Sequence, residues 1–132
     1  MKTTLRLSFL SLAISALLIG CGKQDAIIEA HNELVKIEQS MVNRYNASFL
    51  AQGQADALDS AIREVEKIDV SDCPDDYQEA WRDVIKVWRD WKAALGTGNI
   101  DLADELNERS QAKIKKLNRV ATSHGVKILG SL

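Results

Sequence analysis

The chain has 132 residues, a length that suits one domain, and carries 17 Lys+Arg against 19 Asp+Glu for a net charge of −2. That balance excludes the strongly basic make-up of a nucleic-acid-binding protein. With two cysteines and a single proline, the chain cannot be held by a disulfide framework, and little in it interrupts helices.

At the N-terminus, Lys2 and Arg6 form a positive region ahead of an apolar run over residues 7–19. The run is shorter than the ~20 apolar residues that span a bilayer. Its layout is that of a secretory signal. It closes in Leu18-Ile19-Gly20-Cys21, which resembles the lipobox of bacterial prolipoproteins: an aliphatic residue, a variable one, a small one, then cysteine. The resemblance covers the first 21 residues only. It implies a diacylglyceryl thioether on Cys21, cleavage before that residue, and acylation of the new amine, with palmitate as the usual label.

The chain then divides into a signal peptide (1–20), a lipidated tether (21–24) and a helical domain (25–132). Each buried methylene of an acyl chain is worth ~0.8 kcal/mol, so two or three chains hold a protein at a membrane where one binds marginally. In Gram-negative lipoproteins of this type an Asp after the lipidated Cys retains the protein at the inner membrane. Residue 22 is Gly, which implies the periplasmic face of the outer membrane if the source is Gram-negative. Lys2 and Arg6 would leave with the signal, so the mature chain is more acidic than the whole. Cys73 would then be its remaining thiol, with no second cysteine to pair with.

Beyond the tether, apolar residues recur at helical spacing. The first predicted helix covers about 25–52, with Ile28, Val35, Val42 and Phe49 every seven residues and Ile27, Leu34 and Met41 in the adjacent row; Gly53 ends it. The second covers about 54–68, with Leu58, Ala61, Ile62, Val65 and Ile68 on one face. The third covers about 74–95, started by Pro74 and by Asp75 and Asp76 on the positive end of the helix dipole. Its apolar row is Tyr77, Trp81, Val84, Trp88, Trp91 and Leu95. Gly96, Gly98 and Asn99 break the chain, and Asp101 is placed to cap a fourth helix over about 101–124, closed by Gly125. That helix carries Ala103, Leu106, Ile114, Leu117, Val120 and Ala121 inward. Four helices with short connections predict an all-α fold, an antiparallel up-down-up-down bundle in which the second helix is much shorter than the first. Gly53–Asp59 and Gly98–Asp104 echo one another, which reads as shared turn chemistry.

Trp81, Trp88 and Trp91 read first as core, since burying an aromatic ring removes ~150–250 Å² from water. The alternative is a pocket for an apolar or aromatic ligand. Arg82, Lys86, Arg89 and Lys92 read as a solvated face, with Glu79 placed to pair with Arg82. Arg109, Lys113, Lys115, Lys116, Arg119 and Lys127 make the last helix basic. The topology sets that end against Asp69, Asp72, Asp75 and Asp76, so mutual neutralisation is expected. A surface for anionic lipid or an acidic partner is the alternative.

No phosphate-binding glycine loop, His-Glu-x-x-His, Cys-x-x-Cys or nucleophile elbow occurs. No catalytic, cofactor or metal residue is therefore assigned, and the chain does not read as an enzyme. The topology does gather Cys73, His31 and His124 toward one end with Asp72 and Asp76, the donor types of a tetrahedral zinc site. The expectation is a lipid-anchored periplasmic helical protein, attached to the membrane through Cys21, that binds an envelope protein or serves as a structural module. The alternative is a small ligand- or metal-binding module.

Overall fold

The computed structural model describes residues 21–128, without the side chain of Cys21. The signal-peptide residues, and Leu129 and Leu132 of the tail, lie outside the described residues. The described chain is an all-α bundle of four helices: α1 (Cys21–Ala47), α2 (Ala51–Glu66), α3 (Asp75–Gly96) and α4 (Ile100–Ser123). Sequential helices pack on one another, and α3 is central, held between α2 and α4. Side chains of α1 reach it from the other side: Tyr45 meets Trp91 with ring centroids 5.0 Å apart, and His31 meets Tyr77.

Three of the four apolar faces are the ones that helical periodicity selects. Leu58, Ala61, Ile62 and Val65 of α2 are buried, as are Ala103, Leu106, Leu117 and Ala121 of α4. All six residues of the α3 row are buried, Trp88 and Tyr77 completely. The Trp88 indole Nε1–H donates to Ser110 Oγ at 2.8 Å, which satisfies its one polar atom and ties α3 to α4. Helix α1 differs. Ile27, Leu34 and Met41 are buried, whereas Val35 and Val42 of the other row are about half exposed and Phe49 is almost wholly exposed.

Helix ends follow from local chemistry. Both α3 and α4 close on a left-handed glycine, Gly98 (φ 74°) and Gly125 (φ 83°). After α3, Asn99 N–H reaches Ala94 O and Gly98 N–H reaches Leu95 O; after α4, Val126 N–H reaches Ala121 O and Gly125 N–H reaches Thr122 O. This paired pattern satisfies the last carbonyls, and only glycine takes that backbone without strain. The α4 cap is Asn99, whose side chain accepts from Leu102 N at 3.2 Å. Asp101 sits in the first turn instead.

The first helix ends sooner than its periodicity suggests. The chain turns at residues 48–50, where Ser48 Oγ donates to Leu50 O and Gln54 Nε2 donates to Ser48 O. Gly53 lies inside the first turn of α2, and a Cβ there would collide with Ser48 Oγ. Gly53 and Gly98 thus do different jobs, and the sequence echo around them is not a structural repeat. At the other end, the predicted tether is already helical, since α1 begins at Cys21.

The short second helix is made up for by its loop. Helix α2 has 16 residues against 27 in α1, about 24 Å against about 40 Å. The chain from 67 to 74 continues along the bundle end, with Ile68 and Val70 partly buried against the core and Cys73 buried within it. The tail closes the same end, with Val126 in the core and Ile128 packed on it.

Candidate functional site

Two regions carry chemistry beyond packing. The first is the end of the bundle where α1 begins. An open cleft of about 490 Å³ lies there, lined by Gly22, Lys23, Ser71, Asp72, Cys73, Asp75 and Gln78. Its wall is the 67–74 loop. Asp69 accepts from Ser71 N–H at 2.9 Å, and Gln78 Nε2 donates to the carbonyls of Cys73 and Ser71. Burial pushes the Cys73 thiol up, and the Asp72 and Asp69 charges add to this, which favours the neutral thiol.

The three metal-capable side chains at this end do not converge. His124 Nε2 lies 2.9 Å from Asp76 Oδ1. His31 turns into the core, and Cys73 stays among apolar neighbours. Among the described residues no group of three His, Cys, Asp or Glu side chains is placed to hold a metal ion. The His124 hydrogen bond, foremost, holds the Asp76 carboxyl below its ordinary range.

Charge pairing departs from the sequence expectation. Arg89 and Lys92 are not merely solvated: Arg89 pairs with Glu66 and Lys92 with Asp59 at 2.5 Å, bridging α3 to α2. Glu79 and Arg82 form no ion pair. The basic half of α4 is neutralised only in part. Lys113 lies 3.8 Å from Asp83 and Arg109 pairs within its own helix with Glu105. Lys115, Lys116, Arg119 and Lys127 are unpaired among the described residues.

The second region runs along α1 where its side chains reach α3 and α4, and of its polar α1 residues sequence reading singled out only His31, as a metal donor. His31 is buried, its Nδ1 3.0 Å from the Tyr77 hydroxyl, and Asn118 of α4 hydrogen-bonds the same ring. Burial lowers the His31 pKa against the opposing effect of Asn118, and burial likewise raises that of Tyr77. With both groups neutral, the Tyr77 hydroxyl and His31 Nδ1 share one hydrogen bond whose donor is set by the imidazole tautomer. About two turns on, burial pushes the Glu38 carboxyl up, and among the described residues this side chain has neither a hydrogen bond nor an ion pair. Trp91 Nε1 is buried beside Tyr45 and makes no hydrogen bond of normal geometry among the described residues. Its Trp81 and Trp88 companions are core residues as well. An unpaired carboxylate in an apolar row has a signal in the sequence, Glu38 between Leu34 and Met41, but periodicity counts apolar residues and passes over it.

The neutral His31 has a consequence for stability. In the unfolded chain this imidazole takes a proton near pH 6.5, while folding holds it neutral. The unfolded state then binds more protons, so the His31 contribution is complete above pH ~6.5 and is lost as the pH falls from there toward the lowered folded-state value. Thermal denaturation at pH 7.5 and 5.5 should show a lower midpoint in acid for the native chain. The difference should shrink in His31→Gln.

No model of a known protein family matches this chain, and neither the curated proteins nor the solved structures include one significantly similar to it.

Proposed function

We propose that this chain is a lipid-anchored envelope protein, tethered through Cys21, whose helical bundle binds another envelope protein and performs no chemistry itself. The observation that carries the anchor is the sequence Leu18-Ile19-Gly20-Cys21 after a short apolar run. No described helix is long and apolar enough to cross a membrane, so attachment by the bundle itself would not come from a span among those residues. The binding role is supported by exposed apolar side chains that the bundle leaves uncovered, Val35 and Val42 on α1 and Phe49 in the turn after it.

In this reading the α1 start, the 67–74 loop and the α4 end face the bilayer. The 48–50 turn then stands about 40 Å away along α1. A Gram-negative source would place the protein on the periplasmic face of the outer membrane. A ligand-binding role has less support, since the three indoles are packed in the core. The test is growth with radioactive palmitate. The native chain should be labelled and membrane-bound, and Cys21→Ser should be unlabelled and unprocessed. Labelling of Cys21→Ser at the native level would contradict the anchor.

A further inference from the structure

Charge in this chain is divided along its length. From Arg109 to the end there are six Lys and Arg and no Asp or Glu, so all 19 acidic residues precede Arg109. The α4 cations fall into two groups. Arg109 and Lys113 face acids of the protein itself, Glu105 and Asp83. Lys115, Lys116 and Arg119 stand on the outer face of α4, and Lys127 follows the helix; all four are exposed and have no acidic partner among the described residues. Lys115 and Lys116 lie one turn from Arg119, the spacing at which like charges repel. An anion supplied from outside would relieve that repulsion.

The place of this group in the fold narrows the choice of anion. The end of α4 lies beside the start of α1: a Cβ on Gly125 would come within 3.0 Å of Gln24 Nε2, and His124 pairs with Asp76 at the start of α3. Lys127 is therefore close in the fold to Cys21. Arg119, Lys116 and Lys115 stand about 6–12 Å from the end of α4, a distance comparable to the Debye length of ~8 Å at physiological salt. A bilayer that holds Cys21 thus has these cations within reach of its surface charge. The acidic 67–74 loop at the same end, with Asp69 and Asp72 exposed and Asp75 after it, is repelled by such a surface.

The composition of the patch selects further. The exposed residues between its cations, Gln111, Ala112, Thr122 and Ser123, are small or polar. Protein interfaces deplete lysine and concentrate aromatic side chains, and single-stranded nucleic acids bind on aromatic platforms. Neither pattern is present. Flexible cations without an apolar anchor suit the diffuse phosphate layer of an anionic membrane, where each Lys or Arg adds to binding. We propose that Lys115, Lys116, Arg119 and Lys127 form a binding surface for anionic phospholipid headgroups. Through it α4 bears on the bilayer and the 67–74 loop is lifted away. The proposal rests on the anchor at Cys21 given above and sharpens the orientation that follows from it.

The test uses the full chain purified from its membrane and mixed with excess nanodiscs, either of phosphatidylcholine alone or with about one third phosphatidylglycerol as the anionic lipid. Acetylation of each lysine by acetic anhydride is followed by mass spectrometry. In the anionic discs Lys115, Lys116 and Lys127 should react at least about fivefold more slowly than in phosphatidylcholine, the factor that ~1 kcal/mol per cation gives. Lys36 and Lys86, exposed on α1 and α3, and Lys67 on the acidic loop should not change. The protection should vanish at 1 M salt, where the Debye length is ~3 Å. In Lys116→Glu/Arg119→Glu, both exposed positions, Lys115 and Lys127 should lose it. Equal rates in the two discs, protection of Lys67 as strong as that of Lys127, or protection that survives salt or the double variant would overturn the proposal. So would carbodiimide crosslinking of Lys115 or Lys116 to a protein carboxylate in the native membrane by a chain unprotected in anionic discs, which would make an acidic protein the occupant. The mass of the Cys21 peptide from the same sample reads the anchor separately. Protection in a chain with unmodified Cys21 would refute the anchor alone, and lipid on Cys21 without protection would refute the surface alone.

Discussion

Trp88→Ala is expected to cost about 3–5 kcal/mol of folding stability, the range for deleting a large aromatic side chain from a packed core. The indole is completely buried at the centre of α3, and α3 is the helix on which both α2 and α4 pack. Its removal opens a cavity in the middle of the bundle and leaves Ser110 Oγ, itself buried, without the indole donor. In urea denaturation the midpoint should fall steeply with little change in slope. The matched control is Val42→Ser, an exposed position where the change should stay within about 0.5 kcal/mol. Less than about 1 kcal/mol for Trp88→Ala would mean that the α3 row is not the core.

Tyr77→Ala should be as damaging, for two reasons that can be separated. The ring is fully buried on the first turn of α3, between His31 of α1 and Trp81. Its loss costs about 3–5 kcal/mol by the same cavity argument. The hydroxyl also satisfies His31 Nδ1, 3.0 Å away in the core. A buried polar atom stripped of its partner costs about 1–3 kcal/mol. Tyr77→Phe keeps the ring and removes only the hydroxyl, so it isolates that smaller figure. The two energies share a neighbourhood and will not add simply. Thermal or urea denaturation of both variants at pH 7.5, where His31 is neutral in either state, gives the comparison. A Tyr77→Phe loss equal to that of Tyr77→Ala would show that the ring itself contributes nothing.

Much of this fold is legible in the sequence, and the reasons are local. The α3 row alternates steps of four and three and is interrupted by no glycine, so its buried face could be named residue by residue. Gly98 and Gly125 mark helix ends because the left-handed backbone there suits glycine. The end of α1 was less legible. Ser48-Phe49-Leu50 holds no glycine or proline, and the turn depends on Ser48 and Gln54 hydrogen bonds that become visible only once α2 is in place. Which α1 row is buried was also hidden, because Ile27, Leu34 and Met41 and the Ile28, Val35 and Val42 row are equally apolar. The packing of α1 against α2 and α3 decides between them. For the candidate sites, the charge clusters were visible but their pairing was not: Asp59 and Glu66 draw Lys92 and Arg89 across to α2, which depends on tertiary register. His31 stood out in the sequence only as a metal donor and Glu38 not at all; burial separates the one that has partners from the one that has none.

The most direct test of the anchored-module account is mass spectrometry of the mature N-terminus from the native membrane. The account predicts that residues 1–20 are gone and that Cys21 is the first residue. Its mass should be raised by a diacylglyceryl group on sulfur and an acyl chain on the amine. A peptide still carrying residues 1–20, or one beginning at Cys21 with an unmodified sulfur, would contradict it.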